Sequence, residues 1–477
     1  MLRTVDLQQL CKLLLHVRPA VISGRPRPAP PPWHQRRTAG APPATSINSS
    51  SHGCMHHEHA TPPPRHAARH ATDQQDTPAH YYCLRLPSIS LHSPSAPLRQ
   101  AHCTAAASFI GATMAAGLWM RRLPLLLAVL ITTVATAAGG GGGEQSAAAL
   151  FVFGDSLIDS GNNNNLASLA KANYFPYGID FAAGPTGRFC NGYTIVDELA
   201  ELLGLPLVPA YSEASSVQQV LQGANYASAA AGILDDSGGN FAGRIPFDQQ
   251  IQNFESTVAQ IAGAVGRPAA AERLARSIVF VGMGSNDYLN NYMSPNYDTR
   301  RRYNPQQFAD LLVRRFASQL TRLYDAGGRK FVVAGVGSMG CIPSVLAQSV
   351  AGRCSPEVDA LVLPFNANVR ALLDGLNGNL AGARFTYLDN FGIFKAILGN
   401  PAAFGFSVVD RGCCGIGRNG GQITCLPFMP PCADRERYVF WDAYHPTAAV
   451  NVIIAREAFH GGANVMAPIN VGQLARL

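Results

Sequence analysis

From residue 148 onward, apolar positions along this chain follow two rhythms. Short unbroken runs at 148–153, 278–281, 330–336 and 384–388 are bounded by glycine-rich or polar turns. Runs of that length and kind predict strands buried on both faces. Between them, apolar residues recur every three or four positions. The stretch 195–203 does so until Gly204 stops it, and 305–326 does so through Phe308, Leu312, Phe316, Leu320 and Leu323. The stretches 357–380 and 447–459 repeat the pattern, which predicts amphipathic helices. Strands alternating with helices predict an α/β domain with a mainly parallel sheet covered on both faces. In such sheets sites form beyond the carboxyl ends of the strands. Ser156, Asn286 and the loop 335–340 all fall there.

Upstream the pattern is lost. Residues 1–113 are crowded with Pro, Ala, His, Arg and Ser and hold no sustained apolar period, which predicts disorder. At 114–138 a basic Arg121-Arg122 pair, an apolar run from Leu123 to Val134 and Ala135-Thr136-Ala137 have the anatomy of a secretory signal peptide. The run is too short for a stable membrane span. A signal peptide belongs at an N-terminus, so Met114 or Met120 is expected as the natural start and 1–113 as an over-extended reading frame. A Gly-rich linker, 139–146, then leads into one large domain at 147–477.

Charge and cysteine usage narrow the class. Residues 1–138 hold 13 of the 37 Lys+Arg and 4 of the 30 Asp+Glu. The rest therefore carries 24 basic against 26 acidic side chains, and no basic surplus is left for a nucleic-acid partner. The His- and Cys-rich run at 54–59 could hold a metal but is taken as a solvated low-complexity tract. Seven of the 11 cysteines follow residue 146. In a secreted chain the six after residue 340 form a disulfide framework: Cys341 with Cys354, and Cys413 and Cys414 with Cys425 and Cys432 in either pairing. Their spacing does not suit a zinc finger. Cys190 is left over as a buried free thiol. The domain has no Asn-x-Ser/Thr acceptor for N-glycosylation.

Candidate chemistry follows from scarcity. Of 13 histidines, 11 precede residue 139, leaving His445 and His460. A serine needs a nearby base to act as a nucleophile. Ser156 directly follows a strand, and Asp442 and His445 are one helical turn apart, close enough for the carboxylate to hold the ring in one tautomer. Alone, Ser156 would better suit a helix N-cap and Asp442 a surface acid. His460 ends a helix and is taken as a cap. Two turns could supply donors for a developing oxyanion: the backbone at Gly223 and the amide of Asn286. Gly335-x-Gly337-x-x-Gly340 fits a dinucleotide fingerprint, but Pro343 and a disulfide-bound Cys341 make a poor opening for the helix it requires. The G-x-S-x-G elbow of α/β-hydrolases is absent.

The blocks Phe153-Gly154-Asp155-Ser156-Leu157-Ile158-Asp159-Ser160-Gly161-Asn162-Asn163, Gly223, Gly284-x-Asn286-Asp287 and Asp442-x-x-His445 occur in order. Together they resemble the plant GDSL esterase/lipase family of SGNH hydrolases, over about 147–465. The resemblance implies a three-layer α/β/α flavodoxin-like fold, secretion to the extracellular space, and hydrolysis of small-molecule or lipid acyl esters with no metal or cofactor. It implies Ser156 as nucleophile, His445 as base and Asp442 as its orienting acid. The N–H groups of Ser156 and Gly223 and the Asn286 side chain would form the oxyanion hole. Cys190 stands where the family usually has Ser, away from any catalytic position. An acyltransferase using the same acyl-enzyme and a catalytically silent secreted binding protein are the alternatives, with a nucleotide-binding oxidoreductase behind them.

Overall fold

The structure is a computed structural model that describes residues 147–477. The segments 1–113, 114–138 and 139–146, with the 54–59 run, lie outside the described residues. Five parallel strands order the domain: β1 (Leu150–Gly154), β2 (Gly223–Asn225), β3 (Ile278–Gly282), β4 (Lys330–Ala334) and β5 (Arg384–Leu388). A separate two-stranded ribbon pairs β6 (Val408–Gly412) with β7 (Tyr438–Phe440). The short β8 (Met466–Ala467) then closes the main sheet antiparallel to β5, giving the order β2-β1-β3-β4-β5-β8.

Strand side chains alternate between faces, so continuous apolar runs supply two cores at once. Phe151, Phe153, Val279, Val281, Phe331 and Val333 enter one core, facing α2 (Phe247–Val265), α4 (Pro305–Asp325) and α5 (Pro356–Asn379). Leu150, Val152, Ile278, Phe280 and Val332 enter the other, facing α1 (Ile195–Leu202), α6 (Asn390–Gly399) and α7 (Ala448–His460). The intervening α3 (Arg267–Arg276) leads directly into β3. This is the three-layer α/β/α arrangement that the alternation predicts. α4 shows how the sequence builds a layer. Pro305 sits in its first turn, and Asn304 and Gln307 close a capping box. Phe308, Leu312, Phe316, Leu320 and Leu323 are then wholly buried, each worth roughly 1.5–3 kcal/mol.

The strands and helices anticipated from periodicity stand within a few residues of their expected ends. β2, β6, β7, β8, α2, α3 and α6 were not anticipated. β2 reads Gly-Ala-Asn, which carries no apolar signal, and its pairing, with β1 along its length and with Ala210 at Asn225, makes it a strand. Its glycine has a steric cause: Gly223 has φ +127°, and a Cβ there would come within 2.0 Å of the Leu150 carbonyl oxygen. Among the described residues, no helix is long and apolar enough to cross a membrane.

Candidate active site

The carboxyl edge of the sheet gathers the chemistry. Gly154 ends β1, and the chain turns at once to present Ser156. His445 and Asp442 arrive from beyond β7, which ends at Phe440. The Asp442-to-His445 segment is not helical, contrary to the one-turn expectation. Asp442 Oδ1 instead accepts the backbone N–H groups of Tyr444 and His445, both at 2.8 Å. This side-chain-capped turn folds the ring back over its own acid, with Nδ1 at 2.9 Å from both carboxylate oxygens. A carboxylate can only accept, so Nδ1 carries the proton and Nε2 is left as an acceptor. Nε2 lies 2.7 Å from Ser156 Oγ, across 289 residues of sequence.

Asp442 is fully buried. Burial alone would raise its carboxyl, but His445, the Tyr177 hydroxyl and the Tyr444 N–H together hold it below the usual carboxylate value. Tyr177 donates to Oδ2 at 2.6 Å, and Thr424 Oγ1 adds a longer contact at 3.3 Å. Burial and the adjacent carboxylate push the Tyr177 hydroxyl well above its ordinary value, so it stays a donor. No sequence signal marked Tyr177, which lies 265 residues from its partner. Phe189 packs against the imidazole, ring centroids 5.1 Å apart.

Gly223 is not part of this constellation. It pairs with Leu150 at the start of β1, four residues before that strand ends, about 13 Å back from the serine edge at ~3.3 Å per residue. The residue that reaches the edge from this arm of the chain is Ala230. Its φ is +68°, a left-handed conformation uncommon outside glycine. Among the described residues, neither the Ala230 N–H nor the Ser156 N–H has an acceptor. The signal that could have found it is topological: a donor on this arm must follow the end of β2, not begin it.

Asn286 comes from the turn after β3. Its Nδ2 donates to the Ala231 carbonyl at 2.9 Å, and its Oδ1 accepts from Asn290 Nδ2 at 2.6 Å, which fixes how the amide points. Two buried carboxylates brace the loop that carries Ala230. Asp159 accepts the Ala229 N–H at 3.0 Å. Asp287 accepts the N–H groups of Ile233 and Leu234 and the Ser237 hydroxyl, at 2.8, 3.0 and 2.7 Å. Asp155, beside the serine, is raised by burial to about 6 despite the Leu157 N–H on its carboxylate.

The dinucleotide-like loop behaves differently from expectation. A helix does open at Pro343 (Pro343–Gln348), because proline suits a first helical turn. What leaves no room for a phosphate is Asp359, whose carboxylate takes the Gly340 N–H at 2.7 Å and the Ser338 hydroxyl at 2.9 Å. Gly337 and Met339 line the serine cavity instead. The bridges are Cys341–Cys354, Cys413–Cys432 and Cys414–Cys425, with Cys190 a buried free thiol. His460 ends α7 with its ring against Phe459.

Ser156, Ala230, Asn286 and His445 open onto one cavity of about 140 Å³ with mainly apolar walls, including Leu157, Leu289, Met339 and Phe394. An apolar pocket meeting a serine hydrogen-bonded to an imidazole suits acyl chemistry. Likeness to known proteins points the same way. A family model described as GDSL-like lipase/acylhydrolase matches residues 150–458. A GDSL esterase/lipase of Arabidopsis thaliana is 65% identical over 328 residues, spanning 69% of this chain and 85% of its own length. Two more from that plant are 51% and 50% identical over 332 and 333 residues, each spanning 69% of this chain and 91% of its own length. With sheet, cavity and relatives in agreement, this chain belongs to the GDSL esterase/lipase family and is a hydrolase of ester bonds.

Proposed function

We propose that the chain is a secreted serine esterase working by double displacement through an acyl-enzyme on Ser156. The observation that carries this reading is the unbroken hydrogen-bonded line from Ser156 Oγ through His445 to buried Asp442. Ser156 Oγ attacks the ester carbonyl carbon while its proton passes to His445 Nε2. The ionised Asp442 holds the ring and stabilises the imidazolium as it forms. The carbonyl oxygen, now negative, is met by the N–H groups of Ser156 and Ala230 and by Asn286 Nδ2. The C–O bond to the alcohol breaks, and His445 Nε2 returns its proton to the departing oxygen. Water then enters, gives its proton to Nε2, attacks the acyl carbon and releases the acid as Ser156 regains its hydrogen.

Asn286 keeps its Ala231 contact until an oxyanion competes for the amide, so its contribution grows as charge develops. Secretion is supported by the signal-like 114–138 segment and by three disulfides in one domain. The test is hydrolysis of p-nitrophenyl acetate and butyrate by the protein made in an oxidising eukaryotic host, beside Ser156→Ala. Turnover that disappears in a folded variant supports the assignment, and unchanged turnover removes Ser156 from the mechanism.

A further inference from the structure

Beside the mouth of the cavity, the chain exposes apolar side chains where a solvated loop would be polar. Ile423, Leu426, Pro427, Phe428 and Pro430 are all exposed within eight residues. From Asn419 to Ala433 the sequence holds no Lys, Arg, Asp or Glu. Phe428 is 87% exposed and has φ +63°, so a bulky aromatic occupies a backbone conformation that disfavours it and buries almost nothing in return. Neither packing nor backbone preference accounts for a phenylalanine there.

The loop is nonetheless held firmly against the site. Cys425 is bridged to Cys414 and Cys432 to Cys413, so a disulfide closes each end. The Phe428 N–H donates to the Phe175 carbonyl at 2.8 Å, and the Tyr174 hydroxyl donates to the Cys425 carbonyl at 2.9 Å. Tyr174 and Thr424 line the serine cavity, as does Leu169, which is 79% exposed. The exposed apolar surface thus runs from the stapled loop, past half-exposed Phe175, into the cavity wall.

We propose that this stapled loop, with Phe428 at its tip, docks the enzyme on a lipid–water interface and sets the cavity mouth against the ester chains there. The proposal rests on the ester-hydrolase reading of the cavity with which the patch is continuous. An uncharged loop facing water on a rigid base suits the apolar margin of a lipid surface and has no group to bind anionic headgroups. Docking therefore depends on burying apolar area, not on lipid charge.

Sedimentation with phosphatidylcholine vesicles tests this on the full chain, using wild type, Phe428→Asn and Phe428→Trp. Asparagine tolerates positive φ, so the first variant removes the ring without straining the fold. Phe428→Asn is expected to weaken vesicle binding about tenfold, as for one ring no longer taken out of water, while p-nitrophenyl acetate turnover is unchanged. Phe428→Trp is expected to keep binding, and adding anionic lipid to change it little. Equal vesicle binding by Phe428→Asn and wild type overturns the proposal. So does an equal loss on the soluble ester, which would place Phe428 in the cavity's own chemistry. A wild-type dimer that Phe428→Asn converts to monomer also overturns it, since a second copy then covers the patch. Sedimentation needs no turnover, so Ser156→Ala run beside these variants separates failure of docking from failure of the serine assignment.

Discussion

Replacing Tyr177 by Phe isolates one hydroxyl. The ring contacts with Phe189 and Trp441, at 6.0 and 6.2 Å between centroids, survive the change. What goes is the 2.6 Å bond to Asp442 Oδ2, leaving that oxygen with Thr424 at 3.3 Å and the imidazole. A hydrogen bond to a buried charge contributes about 1.5–3 kcal/mol, and the variant is expected to lose that much stability at pH 7. The sign with pH follows from Asp442. Its folded carboxyl lies below the unfolded value, so the stability it confers is present above the unfolded value and lost as pH falls through the folded one. Removing the donor raises the folded carboxyl towards its unfolded value. The deficit relative to wild type should therefore be full at neutral pH and shrink on the acid side of the carboxylate range. Urea unfolding of both proteins at pH 7 and near pH 2, below the unfolded carboxylate value of about 3.9, reads this out. A deficit equal at both pH values would show that Tyr177 acts by packing alone, and no deficit would refute the charge-assisted bond.

Other expectations are shorter to state. Asn286→Ala should lower kcat roughly 100- to 1000-fold with a modest change in KM, and a purely KM effect would remove the amide from the oxyanion hole. Gly223→Ala should destabilise the domain by at least about 1–3 kcal/mol through its positive φ and the Leu150 clash. The folded fraction should turn over normally, whereas lost kcat at unchanged Tm would put Gly223 back in the site. Each disulfide should contribute about 2–5 kcal/mol, seen as a fall in Tm on reduction. Non-reducing peptide maps should join Cys413 to Cys432 and Cys414 to Cys425, and the crossed pairing would contradict the loop geometry.

The sheet was legible because its strands are buried on both sides and show it as unbroken runs such as Ile278-Val279-Phe280-Val281. The meeting of Ser156, His445 and Asp442 was legible because histidine is so scarce after residue 138. What escaped depends on contacts made through space. β2 is a strand by virtue of its pairing with distant segments, so the Gly-Ala-Asn triplet looked like a bend and its glycine like a donor. Ala230 reaches the edge only once that strand has been placed. Tyr177 finds Asp442 through tertiary packing, and nothing in the spacing of either residue announces the pair. α2 could have been found, since Phe247, Ile251, Phe254, Val258 and Ile261 keep helical spacing along it.

One further consequence concerns time, not shape. Ser156 and its base are separated by 289 residues, and four of the five parallel strands are laid down between them. A growing chain therefore displays its serine hydroxyl long before the His445 imidazole that it bonds exists. On the proposed mechanism, hydrolysis cannot begin on a partial chain, and a product ending before residue 445 is inert however well its first layers pack. On that mechanism turnover reports completed topology, and the cell in which the enzyme is made is spared its activity until the last layer closes.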